Sequence, residues 1–583
     1  MVETAQRADL GVAFDELDAK INAGMDAYAI PGVAVAIWVD GQEFVKGYGV
    51  TNVDHPLPVN GDTVFRIGST TKTFTGTAMM RLVEQGKVDL DSPVRRYIHD
   101  FAVADESVGA TVTVRQLLNH TGGWDGRNGQ DFGRGDDAVA RYVDAMTHLP
   151  QLTAPGTAFA YNNSGLVVAG RIIELVTGTT YESAVQKLVL DPLQLAHTHY
   201  FSDQIIGLNV AAPHAVVGGR SIVESEFWAF PRSCNPTGGL MSTARDQLRY
   251  ARFHLGDGRA PNGEQILSRR SLEAMRSNPG AGGTLWVELT GMGVTWMLRP
   301  SAENVTIVEH GGTWKGQRSG FFMVPDRDFA MTVLTNSDGG FHLINDLFAR
   351  DWALRRFAGI NNLPAAPQRL GPADLAPYEG RYVAGQVSQN GSFEHTVIEF
   401  RARDGQLAGT LTDANPDGPD TAELGLAFYR PDYGIDIGPD GEPTGSRSNF
   451  VRGADGNIAW FCTLHGRLFR RQGHRTDEST QRRQPTTRPR LRWPDAAHRR
   501  RQLGSGVERR RHRDDCRGRA RDGHQGSARF DQRSVRRTSG PCGGIGSVHQ
   551  DDGRRARHVG DRRRLTGRGP GDGRRKRGPH EVL

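Results

Sequence analysis

Ser69 and Lys72 are the side chains whose types and spacing most directly indicate chemistry. They stand three residues apart within residues 66–72, and among the lysines of the chain only Lys72 has a serine three positions before it. If a helix begins here, this spacing places both side chains on one helical face. A serine hydroxyl is a weak nucleophile until a nearby base accepts its proton, and a lysine amine can be that base. The pair therefore predicts an acyl-transfer centre, and the alternative is two solvated side chains on an exposed helix.

The elements that must position this pair follow from the hydrophobic pattern. Apolar residues at helical spacing predict helices over residues 12–28, from Ser69 to Gly86, and over 113–118, 164–177, 181–190 and 244–255. Short apolar runs predict strands over residues 33–39, 43–50, 305–310, 319–324 and 329–335. A last helix with Ile344, Phe348 and Trp352 on one face closes the unit near Gly359. Strands at both ends flank a helical middle, so we expect an α+β domain with one antiparallel sheet, flanking helices and a helical subdomain.

Composition divides the rest of the chain into three further segments. Residues 361–373 have the composition of a linker, which bounds the α+β domain at residues 1–360. Residues 374–470 alternate short apolar runs with turn dipeptides such as Asp404-Gly405 and Asp455-Gly456. This pattern predicts a small all-β domain, a barrel of the lipocalin-like type or a sandwich. Residues 471–583 are Arg-rich and poor in apolar side chains, and we expect them to be disordered.

The net charge of +6 hides an asymmetry. Residues 471–583 hold 32 Lys and Arg against 13 Asp and Glu, so residues 1–470 carry a net charge of −13. The basic tail has two interpretations: an arm that binds nucleic acid or another polyanion, or a shifted-frame translation of a GC-rich gene. It lacks the interleaved aromatic residues of a nucleic-acid module, which favours the second, and we expect no nucleic-acid partner for the rest of the chain.

Hydrophobic segments, the N-terminal sequence and the cysteines bear on the cellular compartment of the protein. No run of about 18 apolar residues indicates a membrane span. The first residues are polar and acidic, without the pattern of a secretory signal. Two of the four cysteines, Cys234 and Cys462, lie within residues 1–470, and two are too few for a disulfide framework. We therefore expect a cytoplasmic protein, or a periplasmic one if the start is misassigned; the oligomeric state is left open.

Two further segments could complete a site around Ser69. An acyl-transfer centre needs a second proton-carrying group, a polar group for the substrate and backbone donors for the oxyanion. Tyr161-Asn162-Asn163 offers the first two directly before a helix, although Tyr161 could be a core residue and Asn163 a helix N-cap. His310-Gly311-Gly312-Thr313 offers the third, since glycines at a strand end let a substrate approach the backbone. The alternative for His310 is a plain strand residue.

These three motifs, SxxK then YxN then HxG, occur in an order that resembles the serine β-lactamase and penicillin-binding-protein superfamily. The likeness is to its class C-like branch of β-lactamases, carboxylesterases and D-aminopeptidases, and it covers roughly residues 12–358. The segments 117–123, 236–246 and 310–312 also resemble that family. Residues 374–470 are similar to the small β-barrel often appended to such hydrolases. The resemblance implies the β-lactamase-like fold for the α+β domain.

The resemblance also implies a role for each site residue. Ser69 would be the nucleophile, Lys72 its proton acceptor, and Tyr161 the general base and acid that serves the leaving group. Asn163 would bind the carbonyl side of the substrate. The backbone N–H groups of Ser69 and Thr313 would form the oxyanion hole, next to Gly312 at the strand edge. Ordinary lysine and tyrosine pKa values near 10 make either a base only when shifted, so the choice between Lys72 and Tyr161 stays open.

His310 stands where β-lactamases usually carry lysine, and this change bears on the substrate. A lysine cation binds the carboxylate of β-lactams and D-Ala-D-Ala peptides, whereas histidine is mostly neutral at pH 7. Lys315 and Arg318 are close enough in sequence to compensate. We expect a serine hydrolase of ester or amide bonds, most simply a carboxylesterase. The alternatives are a D-aminopeptidase, a D,D-peptidase, a β-lactamase, or a non-catalytic penicillin-binding fold that senses or scaffolds.

No other chemistry has a clear sequence motif. The GxSxG elbow, the HExxH motif and the phosphate-binding loop are not found in the sequence. His197 and His199 have the spacing of a metal pair, but alternation on a strand explains them better, and His120 is expected to hold a turn. We therefore expect no metal and no cofactor, and a small ester, amide or D-peptide as the substrate.

Overall fold

The computed structural model describes residues 2–126, 131–225, 229–387, 393–413, 420–463 and 465–473. The α-helices are α1 (Val2–Ala27), α2 (Thr71–Glu84), α3 (Glu106–Thr111), α4 (Val114–Leu118), α5 (Ala138–Asp144), α6 (Asn163–Thr177), α7 (Tyr181–Val185), α8 (Asn235–Gly238), α9 (Ala244–Leu255), α10 (Arg269–Met275), α11 (Gly340–Ile344) and α12 (Pro372–Leu375). Within the described residues, none of these helices is long and apolar enough to cross a membrane.

The strands up to residue 335 are β1 (Gly32–Val39), β2 (Gln42–Gly49), β3 (Phe65–Arg66), β4 (His214–Val217), β5 (Arg220–Val223), β6 (Met241–Ser242), β7 (Gly283–Leu285), β8 (Val287–Leu289), β9 (Gly291–Met292), β10 (Met297–Pro300), β11 (Thr306–Glu309), β12 (Gly312–Trp314), β13 (Gln317–Val324) and β14 (Phe329–Thr335). Eight of them form one sheet in the order β2-β1-β14-β13-β11-β10-β9, with β12 paired to β13. The pairing is antiparallel, and Val33 lies opposite Thr335. The prediction that strands from both ends of the domain join one sheet is confirmed.

Strand β1 shows how the sequence pattern builds two cores. Side chains alternate across a strand, so its valines and isoleucine face one side and its alanines the other. Val33, Val35 and Ile37 are buried together with Leu17 and Ile21 of α1. The smaller Ala34 and Ala36 belong to the core on the other face, where α9 packs against β1 and β14. The sheet therefore lies between the terminal helices and the helical middle of the domain.

The predicted continuous helix through Ile344, Phe348 and Trp352 is wrong in one respect. Helix α11 passes into a π-helical turn at Asn345–Ala349, and the chain then breaks at Asp351, whose φ is +53°. Side chains from elsewhere satisfy the carbonyl groups at this break. The Arg299 guanidinium donates to the Phe348 carbonyl at 2.9 Å and the Asn362 amide donates to the Ala349 carbonyl at 2.6 Å. Long-range hydrogen bonds thus replace the regular helical pattern.

The C-terminal part is a closed barrel of eight antiparallel strands. They are β15 (Gly380–Val387), β16 (Phe393–Arg403), β17 (Gln406–Asp413), β18 (Asp420–Arg430), β19 (Tyr433–Ile437), β20 (Pro443–Arg452), β21 (Ile458–Cys462) and β22 (Leu468–Arg471), and β15 pairs with β22. Its core contains Tyr382, Phe400, Phe450 and Phe461, and Asp404-Gly405 forms one of its turns with both φ angles positive. The predicted all-β barrel is confirmed. The predicted Arg-rich tail lies outside the described residues from residue 474 onward.

Candidate active site

Ser69 lies where a 3₁₀ turn, Gly68–Thr70, leads into α2. Its side chain is half-buried, whereas the residues that follow it are buried. Gly68 has a φ of +49°, and a Cβ atom at this position would lie 2.6 Å from the Thr313 backbone nitrogen. Only glycine fits such a close approach without displacing the neighbouring backbone. The turn therefore brings the start of α2 against the backbone of β12.

The structure brings Lys72 to the Ser69 hydroxyl. The Lys72 Nζ lies 3.0 Å from the Ser69 Oγ, and it donates a second hydrogen bond to the Thr237 carbonyl at 2.8 Å. The lysine side chain is fully buried at the first turn of α2. Burial disfavours the charged form of an amine, and it lowers the pKa of Lys72 to about 7. Close to neutral pH, a large fraction of this amine is therefore unprotonated and able to accept a proton.

Tyr161 precedes α6 and lies among basic groups. The Lys72 Nζ is 5.0 Å from the centre of its ring. The ring of His120 is 4.5 Å away, centre to centre, and the ring of His310 is 6.3 Å away. The serine, the lysine and the tyrosine, which are far apart in sequence, thus meet at one place.

His120 was expected only to hold a turn, but in the structure it also contacts the segment that contains Tyr161. Its ring is buried, and its Nδ1 accepts a hydrogen bond from the backbone N–H of Asn162 at 2.9 Å. An accepting Nδ1 carries no proton, so the proton of the neutral ring is on Nε2. Burial, together with the charge of Lys72, lowers the pKa of His120 well below its ordinary value. In the sequence, His120 stood out only as part of the segment 117–123, and nothing in that segment predicted a contact with Tyr161.

The side chains of the two asparagines after Tyr161 differ in their hydrogen bonding. The Asn162 side-chain oxygen accepts from the Gly165 N–H at 2.9 Å, and its amide donates to the Trp124 carbonyl at 3.0 Å. Asn162 is therefore the N-cap of α6, and the alternative that Asn163 holds this position is wrong. The Oδ1 atom of Asn163 is buried and makes no hydrogen bond to the described residues. A buried oxygen of this kind is able to accept a donor from a bound molecule.

His310 directly follows β11, and Gly312 is the first residue of β12. The His310 backbone N–H donates to the Phe321 carbonyl at 2.9 Å, which extends the pairing of β11 and β13. Its ring is buried, and burial with the nearby Lys72 charge lowers its pKa to about 3. At Gly312 a Cβ atom would lie 1.9 Å from the Ile67 carbonyl oxygen, so only glycine fits there. The predicted residues Ser69, His310, Gly312 and Thr313 are thus brought together.

The two cations expected to compensate for His310 are placed differently. Arg318 is buried and forms an ion pair with Asp338 at 2.9 Å. Lys315 follows β12 in a half-buried position. The charge of Arg318 is therefore already neutralised within the fold.

The barrel also reaches this site, which the sequence did not indicate. The Gly466 carbonyl in the turn between β21 and β22 accepts a hydrogen bond from the Tyr161 backbone N–H at 2.8 Å. A Cβ atom on Gly466 would lie 2.9 Å from the Cβ of Tyr161. The neighbouring His465 packs its ring against Trp286 at 4.5 Å. One turn of the barrel thus supports the backbone of Tyr161.

The two histidines with metal-like spacing have ordinary surroundings. The His199 backbone pairs with Met241, and the His197 N–H donates to the Asp246 carboxylate at 2.8 Å. His197 lies in a turn and His199 in an isolated β-bridge rather than together on a strand, so the strand expectation is wrong. In the part of the chain that the structure describes, no group of three or more acidic, histidine or cysteine side chains could hold a metal ion.

Comparison with known proteins extends these observations. The family model described as Beta-lactamase matches residues 17–353. The chain is 35% identical over 357 residues to penicillin-binding protein 4 of Amycolatopsis lactamdurans, which covers 60% of this chain and 93% of that protein. It is 30% identical over 251 residues to an unguisins hydrolase of Aspergillus violaceofuscus, which covers 40% of this chain but only 44% of that protein.

Among solved structures, the chain is similar to SurE with D-Leu. The TM-score is 0.59 at 26% identity, and the alignment covers 79% of this chain and 100% of SurE. That share is more than residues 1–360 could supply, so the likeness extends into the barrel. The family match covers more than half of the chain and includes the strands, helices and site residues described above. This chain therefore belongs to the beta-lactamase family, whose members include serine hydrolases and penicillin-binding proteins.

Proposed function

We propose that this protein is a serine hydrolase that cleaves ester or amide bonds through an acyl-enzyme, most simply as a carboxylesterase. The observation that carries the proposal is the 3.0 Å distance between the Ser69 hydroxyl and the fully buried Lys72 amine. A hydroxyl becomes an effective nucleophile when a neighbouring base accepts its proton, and the best base has a pKa near the pH at which the enzyme works. Burial of Lys72 supports such a base.

In the proposed acylation, the Ser69 Oγ attacks the substrate carbonyl carbon while its proton passes to the neutral Lys72 amine. The carbonyl oxygen gains negative charge, and the backbone N–H groups of Ser69 and Thr313 stabilise it. The close approach of Thr313 to Gly68 supports this pair of donors. The bond to the leaving group then breaks as that group takes a proton through Tyr161. Water attacks the acyl-Ser69 ester by the reverse proton path.

The first proton acceptor is proposed to be Lys72 rather than Tyr161. The lysine is the group in direct contact with the Ser69 hydroxyl, and its pKa of about 7 matches neutral pH. The Lys72 Nζ lies over the ring of Tyr161, 5.0 Å from the ring centre. This geometry supports a path in which the proton moves from Ser69 to Lys72 and then through Tyr161 to the leaving group.

Hydrolysis of p-nitrophenyl esters with short acyl chains tests the proposal. We expect an initial burst of p-nitrophenol followed by steady turnover, with an added acyl mass on the Ser69 peptide. Ser69→Ala should abolish both signals, whereas the exposed-residue control Ser202→Ala should keep both. Retained turnover in Ser69→Ala would remove this residue from the mechanism.

A second candidate function is hydrolysis of D-amino-acid amides or peptides. The likeness to SurE with D-Leu, which covers the barrel as well, favours it. The test compares the p-nitroanilides of D-leucine and L-leucine with the p-nitrophenyl esters. Faster turnover of the D-anilide than of any ester would replace the esterase assignment. Stable acylation of Ser69 without turnover would instead indicate a non-catalytic penicillin-binding role.

A further inference from the structure

The ring of His310 is fixed in one orientation and one tautomer. Its Nδ1 lies 2.7 Å from the Gly311 carbonyl oxygen. A carbonyl oxygen only accepts hydrogen bonds, so Nδ1 carries the proton. The other ring nitrogen, Nε2, is buried and makes no hydrogen bond to the described residues. In the neutral ring this nitrogen presents a lone pair, which is a hydrogen-bond acceptor.

The surroundings of His310 keep the ring neutral. Burial and the neighbouring Lys72 charge lower its pKa to about 3, far from the pH at which such an enzyme works. The titratable groups that face it are Lys72, His120 and Tyr161, and the pKa values of Lys72 and His120 are lowered. The nearby guanidinium of Arg318 is committed to Asp338. The group at the lysine position of β-lactamases is therefore a neutral acceptor and not a cation.

The position of His310 indicates which part of a substrate it meets. Its ring is 6.3 Å from the ring of Tyr161, through which the leaving group takes its proton in the proposed mechanism. A substituent on the leaving group would therefore pass close to His310. The buried Oδ1 of Asn163, two residues after Tyr161, is a second acceptor without a hydrogen bond to the described residues. Two buried acceptors call for a ligand that brings hydrogen-bond donors.

We propose that the His310 Nε2 accepts a hydrogen bond from an N–H group of a neutral leaving group. The enzyme would thereby prefer substrates whose leaving group bears a carboxamide over matched substrates whose leaving group bears a carboxylate. This inference rests on the proposed serine-hydrolase function, because it concerns the same site.

The physical reason is that a carboxylate brings only acceptors. Placed against a ring nitrogen with a lone pair, it would lose its hydration and gain no donor, and the imidazole would stay unsatisfied. Sites built to hydrogen-bond one polar group reject analogues that lack it, because a buried partner is left unpaired. A preference of about tenfold to a hundredfold follows from the loss of one such buried hydrogen bond.

A pair of esters with the same acyl group tests the proposal. One has glycolamide as its leaving group and the other has glycolic acid, so the two differ only in a carboxamide against a carboxylate. The acyl group is the one that gives the fastest p-nitrophenyl ester, and each kcat/KM is divided by the rate of hydroxide-catalysed hydrolysis. We expect the glycolamide ester to be preferred by about tenfold or more. Equal rates, a preference for the glycolic acid ester, or failure to hydrolyse either compound would overturn the proposal.

Two variants separate the role of His310 from a structural one. His310→Lys should reverse the order of the two esters, because an ammonium group binds the carboxylate. The exposed control His99→Lys adds the same charge and should leave the order unchanged. If His310→Lys does not fold, His310→Gln replaces it in the test. The ratio of kcat/KM for the glycolamide ester to that for the glycolic acid ester should then fall toward one. An unchanged preference in a folded His310 variant would overturn the proposal.

Nitrogen NMR of histidine-labelled wild-type protein gives a readout independent of turnover. We expect a neutral imidazole with its proton on Nδ1 down to about pH 5 that is absent from His310→Gln. The similar signal of His214, whose Nδ1 lies 2.7 Å from the Asn336 carbonyl oxygen, should remain in that variant. Protonation of the His310 ring near pH 6 to 7 would overturn the proposal. Hydrolysis of p-nitrophenyl acetate, whose leaving group bears neither test substituent, reports on the serine-hydrolase function by itself. Loss of that activity and loss of the glycolamide preference are therefore distinguishable.

Discussion

Gly466 offers the sharpest test of whether the barrel takes part in the reaction. Its carbonyl accepts the Tyr161 N–H at 2.8 Å, and its φ is +68°. In Gly466→Ala the added Cβ would lie 2.9 Å from the Tyr161 Cβ and 3.0 Å from the Leu285 Cδ1. Real Cβ atoms do not approach so closely, so Tyr161 or the barrel turn must move.

The cost of this substitution has two parts. An alanine in the left-handed region costs about 1–2 kcal/mol through its own backbone. The crowding of Tyr161 adds about 1–3 kcal/mol, as for other overpacked sites. Gly456→Ala separates the two parts, since Gly456 has a φ of +77° in the turn before β21 and no atom within 4 Å of the added Cβ. The difference between the two variants then measures the contact with Tyr161.

The assay is steady-state and burst hydrolysis of p-nitrophenyl acetate, with thermal unfolding measured on both variants. A displacement of about 1 Å at a catalytic group lowers the rate by about a hundredfold, so we expect a loss of about tenfold to a hundredfold in kcat for Gly466→Ala. Gly456→Ala should keep the wild-type kcat and lose only stability. Equal kcat values in the two variants would refute the idea that the barrel positions Tyr161.

Three further predictions follow from buried polar groups. The rate of acylation should rise between pH 6 and 8 with an apparent pKa of about 7, because Lys72 loses its proton in this range and becomes the base. Stopped-flow measurement of the burst at each pH checks this. His120→Phe should leave the buried Asn162 N–H without its acceptor, at a cost of about 1–3 kcal/mol in urea unfolding and with a lower kcat. Glu288 joins the α+β domain to the barrel through Tyr429, Arg430 and Arg447. Glu288→Gln should weaken this contact by about 1–3 kcal/mol and speed trypsin cleavage in the linker at residues 361–373.

Each of these predictions has a control and a contrary outcome. A flat pH profile between 6 and 8 would exclude Lys72 as the group that titrates. His148→Phe, at an exposed histidine, should change neither stability nor kcat, and an equal loss there would dismiss the His120 argument. Glu442→Gln removes an exposed carboxylate of the barrel and should not alter cleavage of the linker. The contact through Glu288 would be unimportant if its variant were cleaved no faster than this control.

Local sequence determined the elements and the first part of the site. The spacing of Ser69 and Lys72 implies proximity because residues three apart share a helical face, and the structure places the two groups 3.0 Å apart. Five of the eight strands of the sheet and the all-β character of the barrel were predicted, because alternation and turn dipeptides are local signals. The same signals failed after Ile344, where hydrogen bonds from Arg299 and Asn362 interrupt the helix.

Only the tertiary structure decided the environment of the site. Burial shifts the pKa of Lys72 to about 7, and burial depends on helices and loops that are distant in sequence. The packing of His120 against Tyr161, the capping of α6 by Asn162 rather than Asn163, and the reach of Gly466 to Tyr161 are likewise long-range contacts. No periodicity records such contacts, because they depend on how separate elements meet. The sequence by itself therefore determined which groups could react, and the fold decided their protonation and their neighbours.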